Sequence, residues 1–395
     1  MVESSKRRPD AVVVPGIEAP STVACLRSLG PRDVRTIVVS EDETTPGFAS
    51  RYCDETVLAP DPADDLEGYG DLLLDLAHRP AVRTIVPVRE PDVYLLAKHK
   101  DAFAEHVGTP WPDFDQLRTV QDRKRLFDVA REVGVGVPET RLLNEWDDWD
   151  REAVIKSRYT IVVSDDDDGA SYPTVRYHTP GEAPDAETVI EEMGHEPLVQ
   201  EYMSDPAEYA FFALFDHGSP VATFQHRQIR GYKYSGGPSA FREAVDIPDL
   251  EDAGLRLLDR LDWHGLAMVE FKRHDGEFKL MEINPRFWSS LPFSVAAGVD
   301  FPYQYHRLST GEPVEDQSYD VGAAGHLLRG EVGYLYSLLT HDSPLAERPD
   351  AVRSAGTVLA SIAMHPRFDY LTRDDPRPFV RDVRRTIGLG VQRRV

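Results

Sequence analysis

The stretch 266–288 constrains the fold of this chain more than any other, because it predicts paired strands that carry acidic side chains. Two runs of alternating apolar and polar residues flank residues 274–277, and this pattern predicts a β-hairpin. Side chains alternate between the two faces of a strand. We therefore expect Glu270 on one face of the first strand, and Glu282 with Asn284 on one face of the second.

The length of the hairpin loop decides which of these residues face each other. We expect an odd-numbered loop centred on Gly276, which puts Glu270 opposite Glu282 with the side chains roughly 5 Å apart. A two-residue turn would instead put Glu270 opposite Met281. Like charges so placed destabilise a sheet unless a cation lies between them. Two carboxylates and the amide oxygen of Asn284 are hard ligands suited to Mg²⁺, so the hairpin predicts a magnesium site.

Size, charge and cysteine content bound the class of protein. A chain of 395 residues predicts two or three domains, and a net charge of -24 argues against nucleic acid or an anionic membrane as a partner. Eight lysines against 36 arginines in so acidic a chain resemble proteins from a high-salt cytoplasm. Two cysteines without metal or redox spacing argue against a disulfide framework. With no signal-peptide pattern and no apolar run of membrane-spanning length, we expect a cytoplasmic protein.

The first hundred residues predict a small parallel α/β domain, because short strands alternate with helical stretches. The predicted strands are Ala11–Val14, Arg35–Val39, Thr56–Leu58 and Thr84–Val88, and the helical stretches are Ser21–Leu29 and Tyr69–His78. We expect Ser21 to be the N-cap of the first helix. The first strand is not followed by a Gly-x-Gly-x-x-Gly pattern, so a dinucleotide site is not expected. Residues 1–9 are predicted to be a disordered tail.

The middle of the chain places basic residues where an anion would be needed. A helix is predicted from Asp122 to Val133, with Asp122 as its N-cap and Gly134 at its end. The apolar strand Ala153–Lys156 ends in a lysine, and burying an ammonium group is costly unless an anion meets it. We therefore expect Lys156 to contact a phosphate.

The last third of the chain predicts a further hairpin, several helices and an arginine-rich end. The hairpin covers residues 211–224, the helix before the acidic hairpin covers 250–261, and further helices extend to about 330. His226 is interpreted as structural. The segment Arg377–Val395 is compatible with a membrane-binding amphipathic helix, but docking against the acidic surface of the chain itself is the preferred interpretation.

Taken together, five motifs resemble the ATP-grasp superfamily, which includes D-alanine ligases, biotin carboxylases and carbamoyl-phosphate synthetases. They are Glu270 followed by Glu-x-Asn-Pro-Arg at 282–286, the helix opening at residue 122, the strand ending in Lys156, the strand 198–203, and Glu208. The resemblance implies an α/β (α+β) fold with a pre-ATP-grasp α/β domain at 10–112. An ATP-grasp domain of two α+β subdomains would follow at 113–330, and a helical C-terminal extension at 331–395.

The resemblance also implies roles for individual residues. Mg²⁺ (or Mn²⁺) would bind at Glu270, Glu282 and Asn284; ATP at Arg123, Lys124, Lys156, Glu201, Tyr202, Met203 and Glu208; the transferring phosphoryl group at Arg286 and Arg227; and the acyl substrate at the loop Ser235, Gly236 and Gly237. The Gly-Gly pair is equally compatible with a plain turn. The Pro15–Gly16 loop and Arg89–Glu90 would edge the acyl-substrate pocket, although ordinary turns explain both equally well. The family's glycine-rich flap is replaced here by the acidic run Asp165–Asp168, whose role stays open.

The function implied is that of an ATP-dependent carboxylate–amine ligase acting on a small-molecule carboxylate and an amine, with a homodimer as a possible assembly. The alternatives are a small-molecule kinase on the same fold and a non-catalytic ATP-binding module. A biotin-dependent carboxylase or a carbamoyl-phosphate synthetase subunit is less expected, because the chain shows neither a biotinyl domain nor a duplicated half.

Overall fold

The computed structural model describes residues 10–163, 169–171, 174–204, 207–315 and 317–392, with side chains up to residue 386. The predicted tail at 1–9 and the acidic run Asp165–Asp168 lie outside these residues. Within them, no helix combines the length and the apolar character needed to cross a bilayer.

A parallel sheet organises the first hundred described residues. Its elements are β1 (Ala11–Pro15), α1 (Ser21–Leu29), β2 (Arg35–Ser40), β3 (Glu55–Leu58), α2 (Leu66–Ala77), β4 (Val82–Ile85), α3 (Glu90–Lys98) and α4 (Lys100–Ala104), with 3-10 turns at Gly30–Arg32 and Pro46–Ala49. The strand order is β3-β2-β1-β4, with every neighbouring pair parallel. Strands β1 and β2 are buried almost throughout, as expected when helices cover both faces of a parallel sheet. The predicted α/β class is confirmed.

The start of α1 corrects one sequence expectation. Ser21 is the first residue of the helix, and Pro20 occupies the N-cap position without a side-chain cap. The proline already holds its φ at -72°, close to the helical value, so the helix begins one residue earlier than a serine cap would allow. The prediction that Ser21 caps this helix is therefore wrong.

An antiparallel sheet follows in the middle of the chain. Its region contains α5 (Phe114–Gln121), α6 (Arg123–Glu132), β5 (Thr140–Leu142), β6 (Ala153–Lys156), β7 (Val162–Val163), β8 (Ala170–Ser171), β9 (Val175–His178), α7 (Ala186–Met193) and β10 (Leu198–Glu201), with a 3-10 turn at Leu143–Glu145. The strand order is β5-β10-β6-β9, and β7 pairs with β8 separately. The Asp122 side chain accepts hydrogen bonds from the backbone N–H groups of Lys124 and Arg125, so it caps α6 as predicted.

A third, larger sheet carries the polar hairpin. Its region contains β11 (Ala207–Asp216), β12 (Ser219–Lys233), β13 (Gly236–Ala244), α8 (Pro248–Arg260), β14 (Gly265–His274), β15 (Glu277–Asn284), α9 (Leu291–Ala297), α10 (Phe301–Thr310) and β16 (Ala324–His326). The strand order is β15-β14-β11-β12-β13-β16, and all pairs are antiparallel. One face packs Phe211, Val269 and Ile283 against Leu257 of α8 in an apolar core. The opposite face is free to carry polar groups.

The hairpin pairs Glu270 with Glu282 as expected, but its turn differs from the expected one. The turn is the two-residue segment 275–276, with positive φ at both residues, so the expected odd-numbered loop is wrong. A β-bulge at Met281 adds one residue to β15, and this extra residue restores Glu270 to its place opposite Glu282. Because of the bulge, Leu280 faces the apolar core instead of sharing the face of Glu282.

The C-terminal part consists of α11 (Leu328–Thr340), α12 (Ala351–Met364) and α13 (Arg377–Gln392). The predicted domain boundary at residue 330 falls near the start of α11 and stays a prediction. Strand β16 joins the large sheet just before this helix, and Phe368 forms a β-bridge with His326. The boundary at residue 112 falls in the connection between α4 and α5 and stays a prediction.

Helix α13 docks on the first sheet region. Arg381 donates hydrogen bonds from Nη1 to the carbonyl oxygens of Glu43, at 3.3 Å, and Thr45, at 3.2 Å. Arg385 forms an ion pair with Asp42. The arginine-rich segment thus contacts the chain's own acidic surface, as the preferred interpretation expected.

Two helical glycines give opposite predictions for stability. A Cβ on Gly254 of α8 would overlap the buried ring of Phe211, whereas a Cβ on the exposed Gly356 of α12 meets nothing within 4 Å. We expect Gly254→Ala to lower the free energy of unfolding, because overpacking costs about 1–3 kcal/mol and outweighs the ~1 kcal/mol that alanine gains in helix propensity. The matched Gly356→Ala change should raise it by up to about 1 kcal/mol. Urea unfolding measures both, and an equal effect at the two sites would contradict this packing.

Candidate active site

A cavity of about 700 Å³ lies over the polar face of the large sheet. Its walls come from all three sheet regions: Ile17 and Arg89 follow β1 and β4, Arg123 begins α6, and Lys156 ends β6. Concave sites with a few convergent polar groups, placed where layers of structure meet, are typical ligand sites. The cavity therefore collects residues that are distant in sequence around one space.

The strand register builds the floor of this cavity. One cross-strand row of the floor consists of Glu282, Glu270, Ala210 and His226, on β15, β14, β11 and β12. The row two positions along consists of Lys272, Glu208 and Gln228. All seven side chains line the cavity. The predicted acidic pair therefore belongs to a continuous polar surface.

The three predicted metal ligands lie together at one end of the floor. Asn284 Nδ2 is 3.0 Å from Glu270 Oε1 and 3.4 Å from Glu282 Oε1, and Asn284 Oδ1 accepts a hydrogen bond of 2.9 Å from Arg286 Nη2. The amide nitrogen thus supplies the positive end of a dipole to two facing carboxylates. Turning the amide over would present three oxygens to one point, which is the donor set that a hard divalent cation needs. The residues fit such a cation.

The two carboxylates have different electrostatic environments. Burial and the neighbouring Glu282 carboxylate raise the pKa of Glu270 to about 8. Burial alone would also raise the pKa of Glu282, but the Arg123 guanidinium, the Lys156 ammonium and Arg286 lower it to about 2. Two like charges this close do not both ionise easily without a compensating cation.

Lys156 and Arg123 form a cationic wall beside the carboxylates. Burial lowers the pKa of Lys156 to about 7, and the charge of Arg123 acts in the same direction. Arg123 Nη2 donates to Glu282 Oε2 at 2.6 Å, and its Nη1 donates to the carbonyl oxygens of Ser157 and Tyr159 at 3.0 Å each. Among the described residues no carboxylate lies within ion-pair distance of Lys156, so an incoming anion would stabilise its charged form.

Arg286 links the metal end of the floor to the first sheet region. Its Nε donates to Oε1 of the buried Glu90 at 2.8 Å, and Gln121 holds the other oxygen of Glu90 at 3.4 Å. The guanidinium is therefore fixed at the edge of the cavity by partners on both sides. Glu90 and Arg89 line the cavity, so the segment expected to edge an acyl-substrate pocket does border this space.

The residues predicted to hold the nucleoside are divided between two places. Glu208 lines the cavity, accepts a hydrogen bond from Gln228 and lies 3.6 Å from Lys272 Nζ. The segment 201–203, predicted to contact ATP, is not part of the described cavity lining. The Glu201 carboxylate pairs with Lys279 Nζ at 2.6 Å and accepts from the backbone N–H of Glu139 at 3.0 Å.

Two predicted basic residues lie away from the cavity. Arg227 points to the opposite face of β12 from its neighbours His226 and Gln228, and pairs with Glu243 at 2.7 Å. Strand alternation explains this placement, so the expectation that Arg227 reaches the reaction centre is wrong. Lys124 lies on the exposed side of α6, 3.5 Å from Asp128, and does not line the cavity either.

The predicted acyl-substrate loop is only partly at the cavity. Gly237 lines it and has a φ of +97°, a conformation that favours glycine. Gly236, with a φ of +119°, begins β13 next to it. Ser235 Oγ instead contacts His341 Nε2 at 3.1 Å, so the serine lies outside the cavity lining.

Sequence reasoning missed several lining residues. Lys272 is two positions from Glu270, and Gln228 is two positions from His226, so strand alternation could have placed both on the floor once its face was known. Trp288 carries no such signal. It follows the Pro-Arg of the metal motif, and only the packing of the chain after β15 brings it to the cavity.

The large sheet region is similar to a known protein family. Residues 195–324 match the family model described as ATP-grasp in the biosynthetic pathway with Ter operon. The carbamoyl phosphate synthase large chain of Gemmatimonas aurantiaca is 24% identical over 226 residues, which cover 52% of this chain. That match spans only 20% of the synthase.

Solved structures show the same fold over most of the chain. An ADP complex of N5-carboxyaminoimidazole ribonucleotide synthetase aligns with a TM-score of 0.58 at 15% identity, covering 82% of each chain. The biotin carboxylase domain of Hydrogenobacter thermophilus 2-oxoglutarate carboxylase, solved with MgADP, ADP and bicarbonate, aligns with a TM-score of 0.60 at 14% identity. It covers 80% of this chain and 74% of the domain's chain. The chain therefore shares the fold of these ATP-dependent enzymes over most of its length, and its residues 195–324 are similar to an ATP-grasp family.

Proposed function

We propose that this protein is an ATP- and Mg²⁺-dependent ligase that activates a carboxylate as an acyl phosphate and joins it to an amine. The observation that carries this proposal is the arrangement at one end of the cavity. There Glu270, Glu282 and Asn284 converge, and the cations Lys156 and Arg123 lie beside them. A polyphosphate with a bound metal ion complements both charge signs at once.

The residues on the cavity wall would act mainly by binding and orienting. Lys156 and Arg123 hold the phosphates that stay with ADP, and Arg286 orients the transferring phosphoryl group and the acyl phosphate. The two glutamates and the asparagine would hold Mg²⁺, which would supply positive charge beside the transferring group. Glu208 accepts hydrogen bonds from the ribose hydroxyls. Because the Glu201 carboxylate is already paired with Lys279, adenine would be recognised by the backbone of residues 201–203.

The proposed reaction needs no redox partner and no added acid. A carboxylate oxygen of the substrate attacks the γ-phosphorus of ATP, the bond to the β-phosphate oxygen breaks, and ADP leaves. The amine nitrogen then attacks the acyl carbon, inorganic phosphate leaves, and the nitrogen loses a proton. The first step needs no general base, because a carboxylate is already ionised at neutral pH.

The proposal is tested by a screen for ADP release with Mg²⁺ in high potassium chloride, against paired panels of carboxylic acids and amines. Release that requires both an acid and an amine, with an amide detected by mass spectrometry, would support the ligase. A phosphorylated alcohol as the product would identify a kinase instead. ATP binding without turnover under every pairing would indicate a non-catalytic module.

Lys156 gives a sharper test of the nucleotide site. We expect Lys156→Met to weaken ATP binding about 10–100-fold, because a hydrogen bond to a charged partner contributes about 1.5–3 kcal/mol. Isothermal calorimetry with an ATP analogue measures the change. The control is Lys98→Met on the exposed end of α3, which removes the same charge far from the cavity. Equal affinities for the two variants would contradict the assignment of Lys156.

The proposal also includes small-molecule substrates, a cytoplasmic location and the option of a homodimer. Cys25 and Cys53 are both free thiols, which suits a reducing compartment.

A further inference from the structure

The cavity contains buried polar side-chain atoms without hydrogen-bond partners. His226 Nδ1 and Nε2, Trp288 Nε1, Ser21 Oγ, Ser239 Oγ and Arg89 Nη2 are all buried and have no hydrogen-bond partner among the described residues. The five residues all line the cavity. His226 is 3% exposed, Trp288 1% and Ser21 0%. Buried polar groups are normally hydrogen-bonded, so this concentration at one cavity indicates a place for a ligand.

The sheet fixes where this group of residues lies relative to the metal ligands. His226 occupies the same cross-strand row as Glu270, with only the small side chain of Ala210 between them. Two strand spacings separate their backbones by roughly 10 Å. The His226 ring stacks on Phe212, with the ring centres 4.8 Å apart. The Trp288 ring packs against the same phenylalanine, with the ring centres 4.5 Å apart. Phe212 thus holds both polar rings at the same end of the floor.

The protonation state of His226 defines what it recognises. Burial lowers the pKa of His226 to about 3, and the nearby Arg242 charge acts in the same direction. The neutral ring offers one N–H donor and one nitrogen acceptor. Trp288 and Arg89 can only donate, whereas the two serine hydroxyls can donate or accept. The group therefore favours a ligand rich in acceptor oxygens that also carries at least one N–H or O–H donor.

We propose that His226, Trp288, Ser21 and Ser239 form the recognition subsite for the acyl substrate, and that this substrate is a small carboxylic acid bearing a hydroxyl or amino group. The inference rests on the proposed ligase function, which places the reacting carboxylate at the metal end of the same floor. The hydroxyl or amino group of the substrate then forms hydrogen bonds with the unpaired polar atoms of this subsite. An unsubstituted acid of equal length would leave those atoms without partners.

The test compares matched acids by calorimetry, with and without Mg·ADP. The pairs are glycolate and glycine against acetate, lactate and alanine against propionate, and malate against succinate. We expect at least one substituted acid to bind about 10–100-fold more tightly than its unsubstituted partner, the range expected for satisfying one or two buried polar groups. Equal or tighter binding of the unsubstituted acids would overturn the proposal, and so would a failure of every substituted acid to bind.

The variant His226→Phe keeps a ring to stack on Phe212 and removes both nitrogens. We expect it to abolish most of the preference for the substituted acid while the affinity for Mg·ADP stays unchanged. His226→Gln, which keeps a donor and an acceptor, should retain part of the preference and provides a second variant if the phenylalanine change impairs folding. A preference that survives both changes would overturn the role of His226. If the wild-type protein did not bind Mg·ADP, the proposed function would be contradicted. The titrations without nucleotide would still show whether the protein prefers the substituted acid.

Discussion

Replacing Glu282 by glutamine is expected to lower Mg²⁺-dependent ADP release by about 10³-fold. The change removes one of two anionic metal ligands, and metal-ion stabilisation of a transferring phosphoryl group is worth several kcal/mol, where each ~1.4 kcal/mol is a factor of ten. It also deprives Arg123 of the carboxylate that it holds at 2.6 Å. Steady-state ADP release at saturating ATP, measured over a range of Mg²⁺ concentrations, reports both effects.

The matched control is Glu277→Gln, at the exposed start of the same strand. It removes the same charge and should leave turnover within a factor of two or so, since surface substitutions away from a site have small effects. Similar losses in the two variants would mean that Glu282 contributes only through the overall charge of the protein.

Glu270→Gln provides a second readout that a purely structural role would not give. Its turnover should fall as for Glu282→Gln, but the metal-free protein should become more stable by roughly 0.2–1 kcal/mol, because a like-charge pair is removed. The folded-state pKa of about 8 lies above the ordinary glutamate pKa of 4.5, so the folded form binds more protons than the unfolded form between these pH values. The stabilisation should therefore grow as the pH rises from 4.5 to 8 and then level off. Thermal unfolding in EDTA across this pH range checks the sign.

Asp369→Ala is expected to lower the free energy of unfolding by about 3–5 kcal/mol, the usual cost of breaking a buried ion pair. Asp369 pairs with Arg242 on β13, and the two side chains are 3% and 0% exposed. Without its partner the guanidinium would be left charged and uncompensated inside the protein. The exposed neighbour Asp374, changed to alanine, is the control and should shift stability by less than about 0.5 kcal/mol.

This stability test also decides how the C-terminal part relates to the large sheet. The chain after α12 returns to β16 and places Asp369 under β13, so the helical extension and the sheet should unfold together. Chemical denaturation followed by near-UV circular dichroism should show a single transition at a lower midpoint in the variant. An unchanged midpoint, or loss of the extension alone, would contradict this joint packing.

The hairpin shows what the sequence could and could not determine. The alternation of residues 266–284 was enough to predict the pairing of Glu270 with Glu282, and Pro-Arg after Asn284 marked the end of the strand. The two-residue turn and the bulge at Met281 compensate each other, and no local pattern predicts a bulge. The pairing of Glu270 with Glu282 was therefore predicted correctly, although the predicted loop length was wrong.

Other parts of the site depended on long-range packing. Because Lys156 ends an apolar strand, the sequence predicted that it would contact an anion. Lys156 does line the cavity. Arg227 does not line the cavity. Strand alternation alone does not say which face of β12 forms the cavity floor, so this placement could not be predicted from the sequence. Arg89 and Ser21 belong to the first sheet region, well before Arg123, the first residue predicted to contact the nucleotide. Only the tertiary fold brings both residues to the cavity.

A structure of the protein with Mg²⁺ and a non-hydrolysable ATP analogue would decide whether the paired strands form a metal–nucleotide site. We expect a metal ion at roughly 2.0–2.1 Å from oxygens of Glu270, Glu282 and Asn284, with the phosphates contacting Lys156 and Arg123. Phosphates bound elsewhere, or a metal ion that touches none of these three side chains, would contradict the proposed site and the ligase function with it.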